Sequence, residues 1–359
     1  MSRKHVKKIY LGKVPIGGNA PVLVQSMTNT DTHDIEATLQ QITRLASIGC
    51  EAIRVAVPDQ DAILPLKHII GKSPVPVIAD IHFDWTLAVN SIDAGVAGVR
   101  INPGNIGNPR YVKEIINAAS LNNTLIRIGV NSGSIKKDIL AKYGHPCPEA
   151  MVESALEYAE FFEKNNFTNI KFSLKSSNVA DTIQAYRIMR SRSFYPLHLG
   201  VTEAGSLLRG TVKSSIGIGM LLAEGIGETI RVSLTDNPEK EIKVAWEILR
   251  ALGLRNYGPE IISCPTCGRT QIDIMKLSEA VENMVTTCPY PIKIAIMGCI
   301  VNGPGEAREA DIGIAGGKDK GIIFRKEKIV KSVNGFQELL EQFSREVKEL
   351  VEEYKIQHC

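Results

Sequence analysis

The sequence predicts an α/β protein: an N-terminal (β/α)8 TIM barrel over residues 1–255, followed by a small α+β domain over residues 260–359. Three observations lead there. Short β-branched runs alternate eight times with longer helical stretches, the pattern of a barrel of about 250 residues. The segment around Gly258-Pro259 breaks that alternation. The remaining stretch, about 100 residues long, has a different order of elements.

Taken in order, the predicted barrel strands are 22–27, 52–57, 76–80, 98–101, 125–130, 169–174, 197–201 and 229–234. Helical stretches between them include 34–48, 85–94, 109–119, 151–164, 181–191 and 238–252. A doubly wound sheet is the competing fold, but no G-x-G-x-x-G follows the first strand. Gly217-Ile-Gly219 sits late, in a helical stretch, where glycine serves close packing. The second domain reads as a short strand ahead of Cys264, a helix over 273–285, a strand over 292–297 and a glycine-rich turn. Strands at 311–314 and 321–324 and a charged helix over 336–354 complete it.

The chain has 359 residues, 44% apolar and 23% charged, an ordinary globular composition. The net charge of +3 excludes a bulk nucleic-acid binder, though it leaves room for a local basic cavity. The basic start is broken by Gly12, Pro15, Gly17, Gly18 and Pro21 before any signal-like apolar core develops. No run approaches the ~18 apolar residues of a membrane span. With only seven cysteines, the expected home is the cytoplasm, where close-set cysteines hold metal or do redox work.

Side chains alternate faces along a strand, so the barrel interior can be sorted from the sequence. The apolar members, such as Ile53, Val55, Val99, Ile126, Ile128, Ile170 and Phe172, belong against the helices. Arg54, Arg100, Arg127, Lys175 and Arg231 then face the axis, where branched apolar residues are the norm. A buried unpaired charge costs several kcal/mol, so five would exceed the ~5–15 kcal/mol stability of a domain. Inward carboxylates are few, Asp80 and Glu203. The imbalance calls for a polyanion, and phosphate suits the bidentate grip of arginine. At the carboxyl ends of the strands, where barrel active sites lie, stand Ser26, Asp80, His82, Asn102, Asn131, Lys175, Glu203 and Ser233. Glu203 is a candidate proton donor, and His82 a candidate donor to a substrate oxygen.

In the second domain, Cys264-x-x-Cys267 is followed by Cys299 within Gly298-Cys-Ile-Val-Asn-Gly-Pro-Gly-Glu306. Two readings stay open from the residues alone. One is a structural zinc site completed by Cys288, which would suit a non-redox barrel enzyme acting on a phosphorylated substrate. The other is an iron–sulfur cluster with Glu306 in the same loop as a harder, exchangeable ligand.

These motifs, with Val24-Gln-Ser-Met-Thr-Asn-Thr30, Ala79-Asp-Ile-His-Phe-Asp84, Val99-Arg-Ile-Asn-Pro-Gly-Asn105 and Val201-Thr-Glu-Ala-Gly205, resemble the bacterial 4-hydroxy-3-methylbut-2-enyl diphosphate synthase family over nearly the whole chain. The resemblance implies reductive ring opening and dehydration of 2-C-methyl-D-erythritol 2,4-cyclodiphosphate in the non-mevalonate isoprenoid pathway. It implies a [4Fe-4S] cluster on Cys264, Cys267, Cys299 and Glu306. Diphosphate contacts would be Arg54, Arg100, Arg127, Asn131, Lys175 and Ser233, with Glu203 and Asn302 near the reacting oxygens. It also implies a homodimer in which the cluster domain of one chain caps the barrel of the other. Arg231 and His82 are added by the reading of strand faces and ends. The expected electron donor is reduced flavodoxin or ferredoxin, since no flavin or nicotinamide fingerprint appears.

Overall fold

The computed structural model describes residues 6–299, 309–317, 320–326 and 328–358. The chain divides at Arg255/Asn256 into two compact units. In the first, a short antiparallel hairpin, β1 (Ile9–Leu11) and β2 (Val14–Ile16), precedes eight parallel strands. These are β3 (Leu23–Met27), β4 (Ala52–Ala56), β5 (Val77–Asp80), β6 (Gly98–Ile101), β7 (Leu125–Asn131), β8 (Ile170–Lys175), β9 (His198–Leu199) and β10 (Thr229–Ile230). They run in the order β8-β7-β6-β5-β4-β3-β10-β9. A bridge from Phe172 to Leu197 brings the two ends of the row together, making a nearly closed TIM-like barrel.

Helices alternate with the strands and start where the sequence supplies caps. Asp34, Asp84, Asn108, Asn178 and Asn237 each accept a backbone N–H of the first turn. Pro109 and Pro238 sit at the first helical position. Ile53, Val55, Val99, Ile126, Ile128, Ile170 and Phe172 are fully buried. The hairpin packs Ile9, Leu11 and Ile16 onto Leu23, Ala52, Ile78 and Leu125, and so gives the amino end of the barrel an apolar floor. The polar interior lies above that floor.

Two differences from the sequence reading concern local energetics. The hairpin strands, three residues each, are too short to show a period. The strand expected over 229–234 stops at Ile230. Arg231 N–H still reaches Leu199 O, but Leu234 N–H is taken by the Glu241 side chain, which turns the backbone away from the sheet.

The second unit is a five-stranded sheet in the order β11 (Glu260–Ser263), β12 (Lys293–Met297), β13 (Ile312–Gly316), β14 (Lys320–Arg325), β15 (Lys328–Asn334). The first three strands are parallel and the last three antiparallel. Helices Ile274–Val285 and Phe336–His358 cover one face through Leu277, Val281, Leu339, Phe343 and Val347. Among the described residues, no helix is long and apolar enough to cross a membrane.

Candidate active site

Parallel pairing sets the cationic side chains in a belt around the barrel. Asp80 is in register with Arg100, Arg100 with Arg127, and Arg127 with Lys171 on successive strands. Asp80 takes Arg54 Nε at 3.7 Å, Arg100 Nη1 at 3.5 Å and His82 Nε2 at 3.4 Å. Burial alone would raise the Asp80 carboxyl, but Arg54, His82 and Arg100 overcome it and hold the group well below the usual carboxylate range. Burial pulls the Arg54 guanidinium down to about 10, with Asp80 opposing.

Deeper charges have fewer counterions. Arg127 is 2% exposed, and its Nε and Nη1 have no partner among the described residues. Burial, then Arg54 and Arg100, push it down. Burial likewise lowers Lys171 and half-buried Lys175, and Arg127 adds repulsion to both. Lys171 Nζ donates to Thr229 Oγ1 at 3.4 Å, and the same hydroxyl meets His198 Nδ1 at 2.8 Å. His198 is held neutral, first by burial and then by the surrounding cations. Arg231 faces Glu241 at 3.4 Å. Six interior cations (Arg54, Arg100, Arg127, Lys171, Lys175, Arg231) thus meet two carboxylates, Asp80 and Glu241, an excess of four. Glycines make room for them. A Cβ on Gly129 would stand 3.2 Å from Arg100 Nε, and one on Gly200 only 2.8 Å from Lys175 Nζ.

The remaining predicted residues lie at the strand ends. His82 is largely exposed beyond Asp80. Asn131 closes β7, and Ser233 is half-buried beyond β10. Buried Asn102 caps the short helix Pro103–Ile106. Glu203 is exposed and has a φ of 52°, the left-handed region rarely taken by residues other than glycine. Such strain gathers at functional sites. Two residues escaped the sequence reading. Glu241 sits on a helix, so strand alternation does not flag it. His33 bonds Asp31 at 2.7 Å and Asp59 at 2.9 Å, clasping the segments that follow β3 and β4. Its only sequence signal is its flanking acids.

In the second unit, β11 and β12 end side by side in parallel register, Ser263 beside Ile296. Cys264 and Cys299 therefore follow the same end of the sheet. Gly298 N–H donates to Cys264 Sγ at 3.2 Å. The Arg269 backbone N–H, then the Thr270 hydroxyl, draw the exposed Cys267 thiol toward thiolate. Among the described residues, no three His, Cys, Asp or Glu side chains stand close enough to hold a metal. Asn302 and Glu306 lie outside the described residues. The donor chemistry still fits an iron–sulfur cluster: free thiols, a backbone N–H aimed at sulfur, and a glycine at the approach.

Comparison with known proteins gives the same division. The GcpE TIM-barrel domain matches residues 6–246, and the GcpE protein C-terminal domain matches residues 260–349. A protein of Lawsonia intracellularis named 4-hydroxy-3-methylbut-2-en-1-yl diphosphate synthase (flavodoxin) is 58% identical, over 98% of each chain. One of the same name from Clostridium perfringens is 55% identical, over 93% of this chain and 95% of its own. Among solved structures, a type I 3-dehydroquinate dehydratase from Clostridium difficile superposes with a TM-score of 0.50 at 11% identity. It covers 70% of this chain and 98% of its own, a likeness of fold alone.

Proposed function

The chain belongs to the GcpE family, and from that premise we propose that it converts 2-C-methyl-D-erythritol 2,4-cyclodiphosphate to 4-hydroxy-3-methylbut-2-enyl diphosphate by two-electron reductive ring opening and dehydration. The single observation that carries the reading beyond family is the excess of four cations inside the barrel, which suits a diphosphate. The relatives give the non-redox reading with a zinc tail no support.

Arg54, Arg100, Arg127, Lys175 and Arg231 neutralise the diphosphate, and Asn131, Ser233 and His82 orient it from the strand ends. Holding the leaving phosphate oxygen in that field favours cleavage of the ring C2–O bond. Glu203, at the open end, delivers the proton that lets the C3 hydroxyl depart as water. Asn302, which lies outside the described residues, would act on the same oxygens, as the family resemblance implies. Cys264, Cys267, Cys299 and Glu306 would hold a [4Fe-4S] cluster, which supplies two electrons singly when bound. Flavodoxin, printed in the relatives' names, would be the electron donor, with a ferredoxin as the alternative.

The reading includes a homodimer acting in trans, with the second unit of one chain serving the barrel of its partner. A stripe on helix Leu207–Ala223 supports self-association. Leu208, Val212, Ile216 and Met220 recur every fourth residue and are 77, 51, 47 and 44% exposed. Free cysteines throughout the described residues suit the cytoplasm.

Anaerobic turnover of the cyclic diphosphate with a chemical reductant, product identified by mass, tests the proposal. Formation of the open-chain diphosphate by brown, iron- and sulfide-containing protein is expected. Colourless protein holding zinc alone, or no product from iron-loaded protein, would overturn it.

A further inference from the structure

We propose that Glu241, on helix Pro238–Ala251, is a positioning residue for substrate binding that acts through Arg231. The inference rests on the reading of Arg231 as a diphosphate contact. Glu241 is 4% exposed, and three groups from two segments, β3 and the stretch after β10, converge on its carboxylate. Leu234 N–H donates to Oε1 at 3.0 Å, and Ser26 Oγ, on β3, donates to Oε2 at 3.3 Å. Arg231 Nη2 stands 3.5 Å from Oε1 and 3.4 Å from Oε2.

These distances divide the carboxylate's work. The backbone amide and the serine hydroxyl fix it. The guanidinium, at the outer limit of a hydrogen bond, is held mainly by charge. Arg231 Nε has no partner among the described residues, so donor capacity remains for an anion. Arg231 and Arg54 repel each other, and the Glu241 carboxylate offsets that repulsion. The first turn of a helix also favours a negative charge electrostatically. A carboxylate that only tied β3 to the helix would need no cation against it. One that only paired Arg231 would need neither Leu234 nor Ser26. Having all three places the guanidinium relative to the segment that carries Ser233.

The test uses cluster-loaded holoenzyme and reads turnover, direct titration of the unreduced enzyme with the cyclic diphosphate, and thermal unfolding. E241Q keeps the side-chain volume and removes the charge. It is expected to raise KM and Kd about tenfold while kcat stays within about threefold, the mark of lost binding shared by ground and transition states. R231Q is expected to do the same, and the double variant to be no worse than R231Q alone. Multiplying effects in the double variant, or a lower unfolding temperature with unchanged KM and Kd, would overturn the proposal and leave Glu241 a structural brace. If E241Q does not fold, E241D is read instead. It retains the charge but withdraws it by one methylene, so KM should rise several-fold, and a wild-type KM sinks the idea. If R231Q leaves KM untouched, the diphosphate contact itself is wrong. If R231Q raises KM and E241Q does not, only the role of Glu241 fails.

Discussion

Glu203 holds a backbone conformation that costs a non-glycine residue about 1–3 kcal/mol. Asn123, Asn166 and Lys326 share that conformation, so what singles out Glu203 is its place at the carboxyl end of a barrel strand. Glu203→Gln should keep the fold and substrate binding while turnover falls about 10²-fold or more, the usual worth of a placed proton donor. Glu203→Gly should be as inactive. Its relief of strain outweighs the ~0.5–1 kcal/mol entropy cost of glycine, so its unfolding temperature should match or exceed wild type. A destabilised glycine variant would assign the side chain a structural contact. His33 makes a second prediction. The Asp31 hydrogen bond, then Asp59, raise its pKa above the ordinary 6.5. The clasp therefore stabilises fully below the unfolded value and is lost as pH rises through the raised folded one. Unfolding temperatures of wild type and His33→Asn should differ most in mild acid and converge as pH rises through the raised folded value; a gap independent of pH would show that the clasp owes nothing to charge. Glu203 was legible in the sequence because it follows a strand. His33 and Glu241 were not, because Asp59 and Ser26, which complete their contacts, come from distant segments and leave no periodic trace.

At the scale of elements, strand alternation was readable wherever five or more residues run extended between two buried layers. β7 and β8 fit that description, with Arg127, Lys171 and Lys175 on one face and Ile126, Ile128, Ile170 and Phe172 on the other. β9 and β10 are two residues each, and beyond β10 the Glu241 side chain claims the Leu234 amide, which no propensity encodes. Gly200 marks the place. A Cβ there would meet Arg231 O at 2.7 Å and Lys175 Nζ at 2.8 Å. The carbonyl cannot yield without moving the backbone just after β10, whereas the ammonium can swing aside. Gly200→Ala should therefore lose about 1–3 kcal/mol of stability from overpacking and, through displaced Lys175, bind the cyclic diphosphate several-fold more weakly. Calorimetric titration beside thermal unfolding checks both. Unchanged affinity would show that Lys175 lies outside the anion's reach.

Over the whole molecule, the charge that matters is invisible in composition. The chain carries +3 overall, while the barrel interior alone holds an excess of four, so the rest of the surface is close to neutral. Sorting by strand face exposed that concentration. It calls for a phosphate-like anion but not for the carbon skeleton, which no pattern of side chains spells out and which entered with the family resemblance. Loss of repulsion is then a stability effect. Inorganic diphosphate should stabilise the protein through the same cations, by about 2.7 kcal/mol at a hundredfold excess over its Kd, or a shift of roughly 5–10 °C in a unit of this size. Arg127→Met should unfold at an equal or higher temperature than wild type without ligand, since it removes a buried charge short of partners. With diphosphate it should gain much less. Sodium chloride at matched ionic strength is the control, because bulk screening stabilises any crowded set of like charges. If chloride reproduces the full shift, or if Arg127→Met gains as much as wild type, the interior cations are not an anion site but a set of independently tolerated charges.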